Sequence, residues 1–279
     1  MPDKEPPFGA YAPTGLISRL LGATRALPPQ GVSKRIGFVL RRIAILLLGG
    51  RPLDVVSFGV RFRLHPYYNV CEKRILFSPR QFDEIERDLI AQRIRPGFCF
   101  VDVGANIGGY ALFVAAQAGQ GARILAIEPQ PEIFRRLMAN IGFNPFGTVK
   151  AMDCAVADSE GEVTLFIDAE NQGESSLKII TAGSRSSVRV PARRLLSILR
   201  DEGFDRLDAI KLDVEGAEDL ILETFFAKAP EKLYPGLIVI ERAPDRWQVD
   251  LPSLLVAKGY RLIAETRNNF VFERGFAAD

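Results

Sequence analysis

FVDVGANIGGY, residues 100–110, is a run of strand formers that breaks into a glycine-rich turn and then into a helix-like segment. On either side the texture is regular. FCFVDVG and GYALFVAAQAG read as a strand and a helix, as do ARILAIEP and PEIFRRLMANIG, and the strand TVKAMDCAV follows. Strand, turn and helix at this spacing predict parallel βαβ units and an α/β fold. EVTLFID to SSVRV reads as an antiparallel excursion, after which LDAIKLDVEG resumes the parallel pattern. Helix AEDLILETFFAK, strand GLIVIE and helix VDLPSLLVAKG lead to YRLIAETR and NNFVFER, a closing antiparallel hairpin on the parallel sheet.

Upstream, residues 1–15 hold four prolines and predict a loose arm. Helical material is expected over 16–48 with a break at Pro28 and Pro29, then a short hairpin, VVSFGVRFRL, turning about Gly59. QFDEIERDLIAQRI predicts a helix ended by Pro96-Gly97. At 279 residues and 47% apolar content, the chain can bury one sizeable core, read as a soluble main domain with an N-terminal addition.

Net charge is +2, but residues 1–50 carry seven Lys/Arg against two acids, leaving residues 51–279 net acidic. That excess of acid argues against a nucleic-acid partner. Cys71, Cys99 and Cys154 are widely spaced without a CxxC, so neither a disulfide framework nor a structural zinc site is expected, and a cytoplasmic setting is read. His65 is the single histidine, which counts against Ser-His-Asp, Cys-His and histidine-metal chemistry; it reads as a surface or turn residue. IGFVLRRIAILLLGG is too short and too basic to span a bilayer. It reads as a docked helix, with peripheral membrane contact through residues 16–50 as the alternative.

In open α/β sheets ligands bind beyond the C-terminal strand ends, where DVGANIGG falls. A dinucleotide fingerprint needs glycine where Asn106 stands, and a P-loop needs Lys-Ser/Thr where Tyr110 and Ala111 stand. The turn therefore suits a ligand that brings no phosphate, and S-adenosylmethionine fits. Glu128, 26 residues after Asp102 at the end of AIEP, stands where an acid would hold two ribose hydroxyls. Asp102 would orient the turn or receive the ligand's ammonium group.

These segments together resemble the FkbM family of S-adenosylmethionine-dependent methyltransferases. The resemblance rests on FVDVGANIGGY, AIEPQPEIFRRLMANI, AVADSEGEVTLF, IKLDVEGAE and NNFVFER and covers roughly residues 54–275. It implies a class I methyltransferase, Rossmann-like seven-stranded mostly parallel sheet with a terminal antiparallel hairpin, occupying residues 51–279 after an arm and basic helical segment at 1–50. The cofactor would lie across Asp102, Gly104, Asn106 and Gly108, with Glu128 and Pro129 at the ribose. Asp153, Cys154 and Ala155 would line the adenine. The family association is O-methylation of sugars or polyketide-like natural products, so a small-molecule or glycan acceptor is expected. A histidine that often follows the IVIE strand in relatives is absent from ERAPDRW, so no histidine base carries over.

Methyl transfer to an alcohol requires alignment and removal of a proton, hence a base or a metal. KLDVEGAE offers Asp213, Glu215 and Glu218, and Glu241 ends the neighbouring strand. Asp213 and Glu215 are read as alternating along a strand and pointing the same way, so that with Glu241 three carboxylates converge as a general base, a hydroxyl-positioning group or an Mg²⁺ site. Glu218 is read mainly as a helix-terminal acid. Lys211 is read as facing the opposite side. Gly173 to Ser176 is a candidate acceptor loop, and Trp247 stacks on a sugar or covers a helix start. The competing readings are an N-methyltransferase and a non-catalytic adenosyl-binding or membrane-associated scaffold.

Overall fold

The computed structural model describes residues 5–28, 31–168, 175–176 and 185–275. Helices α1 (Gly15–Ala26) and α2 (Gly31–Leu48) part where the prolines predict, and β1 (Leu53–Ser57) and β2 (Val60–Leu64) form the hairpin about Gly59. Helices α3 (Val70–Phe77) and α4 (Glu84–Ala91) precede β3 (Cys99–Val103), α5 (Gly109–Ala118), β4 (Arg123–Ile127), α6 (Pro131–Gly142) and β5 (Val149–Met152). A second sheet holds β6 (Ala155–Val156), β7 (Gly161–Asp168), β8 (Ser175–Ser176) and β9 (Arg185–Arg193). The chain returns through α7 (Leu195–Asp201), β10 (Ala209–Leu212), α8 (Glu218–Lys228), β11 (Leu237–Glu241), α9 (Leu251–Ala257), β12 (Tyr260–Glu265) and β13 (Asn269–Arg274).

The main sheet runs β12-β13-β11-β10-β3-β4-β5, seven strands of which β13 alone runs opposite to the other six. The closing hairpin therefore inserts its last strand, β13, between β11 and β12. Central strands buried on both faces explain the near-continuous apolar runs: every residue of β3 and β10 is buried. Alternate residues feed two cores. Phe100 packs with α5 and α6 on one face, and Val101 and Val103 pack with α7, α8 and α9 on the other. Leu21 of α1 and Ala44 and Leu48 of α2 belong to the first of these cores.

Two expectations need correction. TVKAMDCAV is not one strand: it breaks at Asp153 and Cys154, and its second half, β6, pairs with β9 in the smaller sheet. The arm is not loose over residues 5–14. Asp54 of β1 accepts from the backbone N–H of Gly9 at 2.7 Å and of Tyr11 at 3.1 Å, and it pairs with buried Arg63 at 2.8 Å. Arg63 also donates to the carbonyls of Pro6 and Pro7 at 2.9 and 3.0 Å. Prolines lack an N–H but keep a carbonyl, so a proline-rich arm suits a buried guanidinium that needs acceptors.

Candidate active site

The sheet reverses direction of growth between β3 and β10, since β4 and β5 extend one way and β11 the other. Beyond the C-terminal ends of these strands lies a cavity of about 750 Å³, at the switch point where open α/β sheets bind ligands. Its wall includes Asp102, Gly104, Asn106, Glu128, Pro129, Cys154, Ala155, Asp213, Glu215 and Glu241, most of the residues expected there. Gly108 and Asp153 are not in the wall. A Cβ on Gly108 would meet Leu137 and Leu112 at 2.9 and 3.0 Å, so that glycine serves helix packing, and Asp153 points to solvent at the strand break. His65 does not line the cavity; burial and the nearby Arg136 and Arg135 hold its pKa down at about 4.

The glycine turn is held from the next strand. The amides of Gly104 and Ala105 both donate to the Ile127 carbonyl at 2.9 Å, and the Asn106 amide donates to Glu128 Oε2 at 2.9 Å. Asn106 takes a left-handed φ of 51°, which asparagine tolerates, and its side chain accepts from Asn69 Nδ2 at 2.8 Å and the Ile107 amide at 2.9 Å. Gly104 lines the cavity and is required by the protein itself. At φ 75° its Cβ would stand 1.9 Å from the Asp213 carbonyl oxygen, so the β3 turn lies directly against the segment after β10.

Asp102 is buried and accepts from the Ala111 amide at 2.9 Å through Oδ2, while its buried Oδ1 has no hydrogen-bond partner among the described residues. Burial raises its pKa to about 6 despite the opposing charge of Lys211. Glu128 receives the Gln130 amide at 2.9 Å on its other oxygen, and burial lifts it to about 7. Each carboxylate oxygen can accept more than one hydrogen bond, so Glu128 keeps acceptor capacity toward the cavity.

After β10 the chain does not continue as a strand. Glu215 sits at φ 57° and Gly216 at φ 98°, a turn rather than the alternation read from sequence. The left-handed Glu215 costs about 1–2 kcal/mol, the kind of local strain found where a side chain must be aimed. Asp213, Glu215 and Glu241 nevertheless converge, each placing a carboxylate oxygen within 4.8 Å of the others. Burial, then the charges of Asp213, Glu215 and Glu218, push Glu241 up to about 9, and its buried Oε2 has no partner among the described residues. Arg246 pairs with Glu215 at 2.6 Å.

Lys211 is corrected. It shares Asp213's side of the chain, donating to Asp213 Oδ2 at 2.7 Å and lying 4.9 Å from the Tyr110 ring centre. Burial opposes its charge, but Asp213 and Asp102 hold its pKa above the ordinary lysine value. Glu218 accepts from the Val214 and Gly216 amides at 2.9 and 3.2 Å and from Trp247 Nε1 at 2.9 Å. It is therefore the scaffold of the turn, and Trp247 is tied to it, covering the start of α8. Of the Gly173–Ser176 loop, Gly173 and Glu174 lie outside the described residues, as do the side chains of Ser175 and Ser176.

The rest of the wall was missed from sequence. Asn69 caps α3, accepting from the Glu72 amide at 3.1 Å, and Asp83 ties Arg74 at 2.6 Å to Tyr110 at 3.1 Å. Glu86 of α4 accepts from Thr266 and Asn269 at 2.6 and 2.7 Å, joining α4 to the β12–β13 turn across the cavity rim.

The donor set fits S-adenosylmethionine: Glu128 offers an acid for paired hydroxyls, and Asp102 a buried carboxylate oxygen with no partner among the described residues. Residues 102–269 match a family model described as the methyltransferase FkbM domain. Methyltransferase sdnD of Sordaria araneosa is 30% identical over 189 residues, covering 57% of this chain and 72% of that protein. The AMB antimetabolite synthetase AmbE of Pseudomonas aeruginosa is 29% identical over 192 residues, 55% of this chain but 9% of that protein. Among solved structures, the human methyltransferase 10 domain containing protein superposes with a TM-score of 0.48 at 13% identity, covering 86% of this chain and 96% of that one.

Proposed function

We propose a reaction from one premise: this chain belongs to the FkbM methyltransferase family and is an S-adenosylmethionine-dependent methyltransferase. The reaction is O-methylation of a hydroxyl on a sugar, glycan or natural-product acceptor. The observation that carries it is the convergence of Asp213, Glu215 and Glu241 at the ends of β10 and β11, with one buried oxygen of Glu241 left without a partner among the described residues. An alcohol must give up its proton as it attacks, whereas a neutral amine attacks through a free lone pair.

S-adenosylmethionine supplies an electrophilic methyl on a sulfonium. Glu128 would hold its ribose hydroxyls, Asp102 its ammonium, and Gly104, Asn106, Pro129, Cys154 and Ala155 would line the adenosyl portion. Asp213 and Glu215 already pair with Lys211 and Arg246, so a divalent cation would have to compete with two bound cations. That favours proton transfer to the carboxylate cluster over an Mg²⁺ site. Lys211 fixes Asp213, Arg246 fixes Glu215, and Glu241 supplies the site that gains and loses the proton.

Incubation with methyl-labelled S-adenosylmethionine and matched panels of hydroxyl and amine acceptors, with NMR of the products, tests this reading. Label on oxygen, insensitive to EDTA, is expected. Label confined to nitrogen contradicts it, and activity abolished by EDTA but restored by Mg²⁺ would put a metal in place of the base.

A further inference from the structure

We propose that the outer face of α2 docks this protein on an anionic lipid surface. Val32, Ile36, Val39, Ile43 and Leu46 are all exposed, Val32 and Leu46 at 73%. Their spacing of four, three, four and three residues puts them on one side of the helix, a stripe about 21 Å long. The opposite side, Gly37, Ala44 and Leu48, is buried against the body of the protein. Leu47 is exposed beside the stripe. A surface helix normally turns its apolar face inward; α2 carries a second apolar face that points away.

Charge selects the occupant. Helix α2 contains Lys34, Arg35, Arg41 and Arg42 and no acidic residue, and Arg35 and Arg42 lie along one edge of the stripe. The same four-three spacing could form a seam between two copies. Two such helices would then bring Arg35 and Arg42 of each to one interface, with no carboxylate in either helix to meet them. Anionic headgroups complement that charge, and arginine stems can cover apolar surface while their heads reach phosphate. None of the described helices is long and apolar enough to cross a membrane, so the helix would lie in the interface plane. The excess of seven cations over two acids in residues 1–50, against the net acidic remainder, would turn this end of the protein toward the lipid.

Flotation of the full chain with two vesicle types tests the proposal: phosphatidylcholine alone, and phosphatidylcholine with phosphatidylglycerol in equal parts. Binding to the anionic vesicles only is expected, weakening as salt screens the charges. The double variant Arg35→Gln/Arg42→Gln should partition roughly 30-fold less, at about fivefold per charge. Val39→Glu/Leu46→Glu should abolish binding. All four positions are exposed, so melting temperatures should match the wild type. Absence of binding, or equal binding to neutral vesicles, overturns the proposal. So does a dimer by light scattering that Val39→Glu/Leu46→Glu converts to monomer, which would assign the stripe to a second copy.

Discussion

Glu241→Gln is expected to lower kcat by about 10²–10⁴-fold, the usual contribution of a positioned proton acceptor, while leaving S-adenosylmethionine affinity unchanged. Glutamine keeps the size of the side chain and its hydrogen-bonding oxygen but cannot take the proton. Three carboxylates within 4.8 Å of one another cannot all ionise at neutral pH. Glu241, pushed up to about 9 by burial and the charges of Asp213, Glu215 and Glu218, keeps its proton. Wild-type kcat/KM should therefore rise with pH as Glu241 ionises, and the variant should lose that limb of the profile. A variant with wild-type turnover and profile would remove Glu241 from the mechanism.

Stability gives a second readout with a definite sign. A carboxyl raised from its ordinary value near 4 to about 9 binds a proton in the folded state that the unfolded chain has released. Its contribution is full below the unfolded pKa and is lost as pH rises through the folded one. Glu128, at about 7, and Asp102, at about 6, act in the same sense. Glu241→Gln deletes its share of this loss, so its melting temperature should gain on the wild type as pH rises from 5 toward 9.

Gly104→Ala should destabilise the protein by about 2–5 kcal/mol, combining the left-handed penalty with overpacking. The new methyl group would stand 1.9 Å from the Asp213 carbonyl oxygen, and main chain cannot rotate aside as a side chain can. Gly121→Ala is the control. Gly121 has a comparable φ of 88° with nothing within 4 Å of an added Cβ, so it reports the conformational penalty alone, about 1–2 kcal/mol. Denaturant titration of both variants separates the two contributions. Equal losses would mean that the β3 turn and the segment after β10 do not touch. Any folded Gly104→Ala protein should also lose activity, because relief of the clash displaces Asp213.

Much of this was legible before the structure. The 100–110 stretch and the strand–helix alternation around it identify the parallel sheet because buried strands and amphipathic helices differ in period, and the Glu128 position follows from the length of one βαβ unit. The closing hairpin was legible in YRLIAETR and NNFVFER, and the FkbM resemblance added the seven-strand count. Other features are three-dimensional. Gly104 lines the cavity as expected, but what demands glycine there, the Asp213 carbonyl, is over a hundred residues away. The acid convergence was right for an imperfect reason: Glu215 reaches the cluster through a left-handed turn, and Lys211 joins Asp213 because residues two apart in an extended chain share a side. Helix α3 was missed although Asn69, three residues before Glu72, is a helix-start signal. The arm's attachment to Arg63 depends on a partner that no local pattern reveals.

The DVGANIG turn and Glu128 are expected to hold an adenosyl group together. Calorimetric titration of S-adenosylmethionine into the wild type and Glu128→Ala tests it most directly. Saturable binding to the wild type, weakened about 100-fold or more in the variant by loss of two charge-assisted hydrogen bonds at about 1.5–3 kcal/mol each, is the predicted result. Equal affinity in a variant that melts like the wild type would contradict the claim and leave the turn as a device for packing β3 against β10.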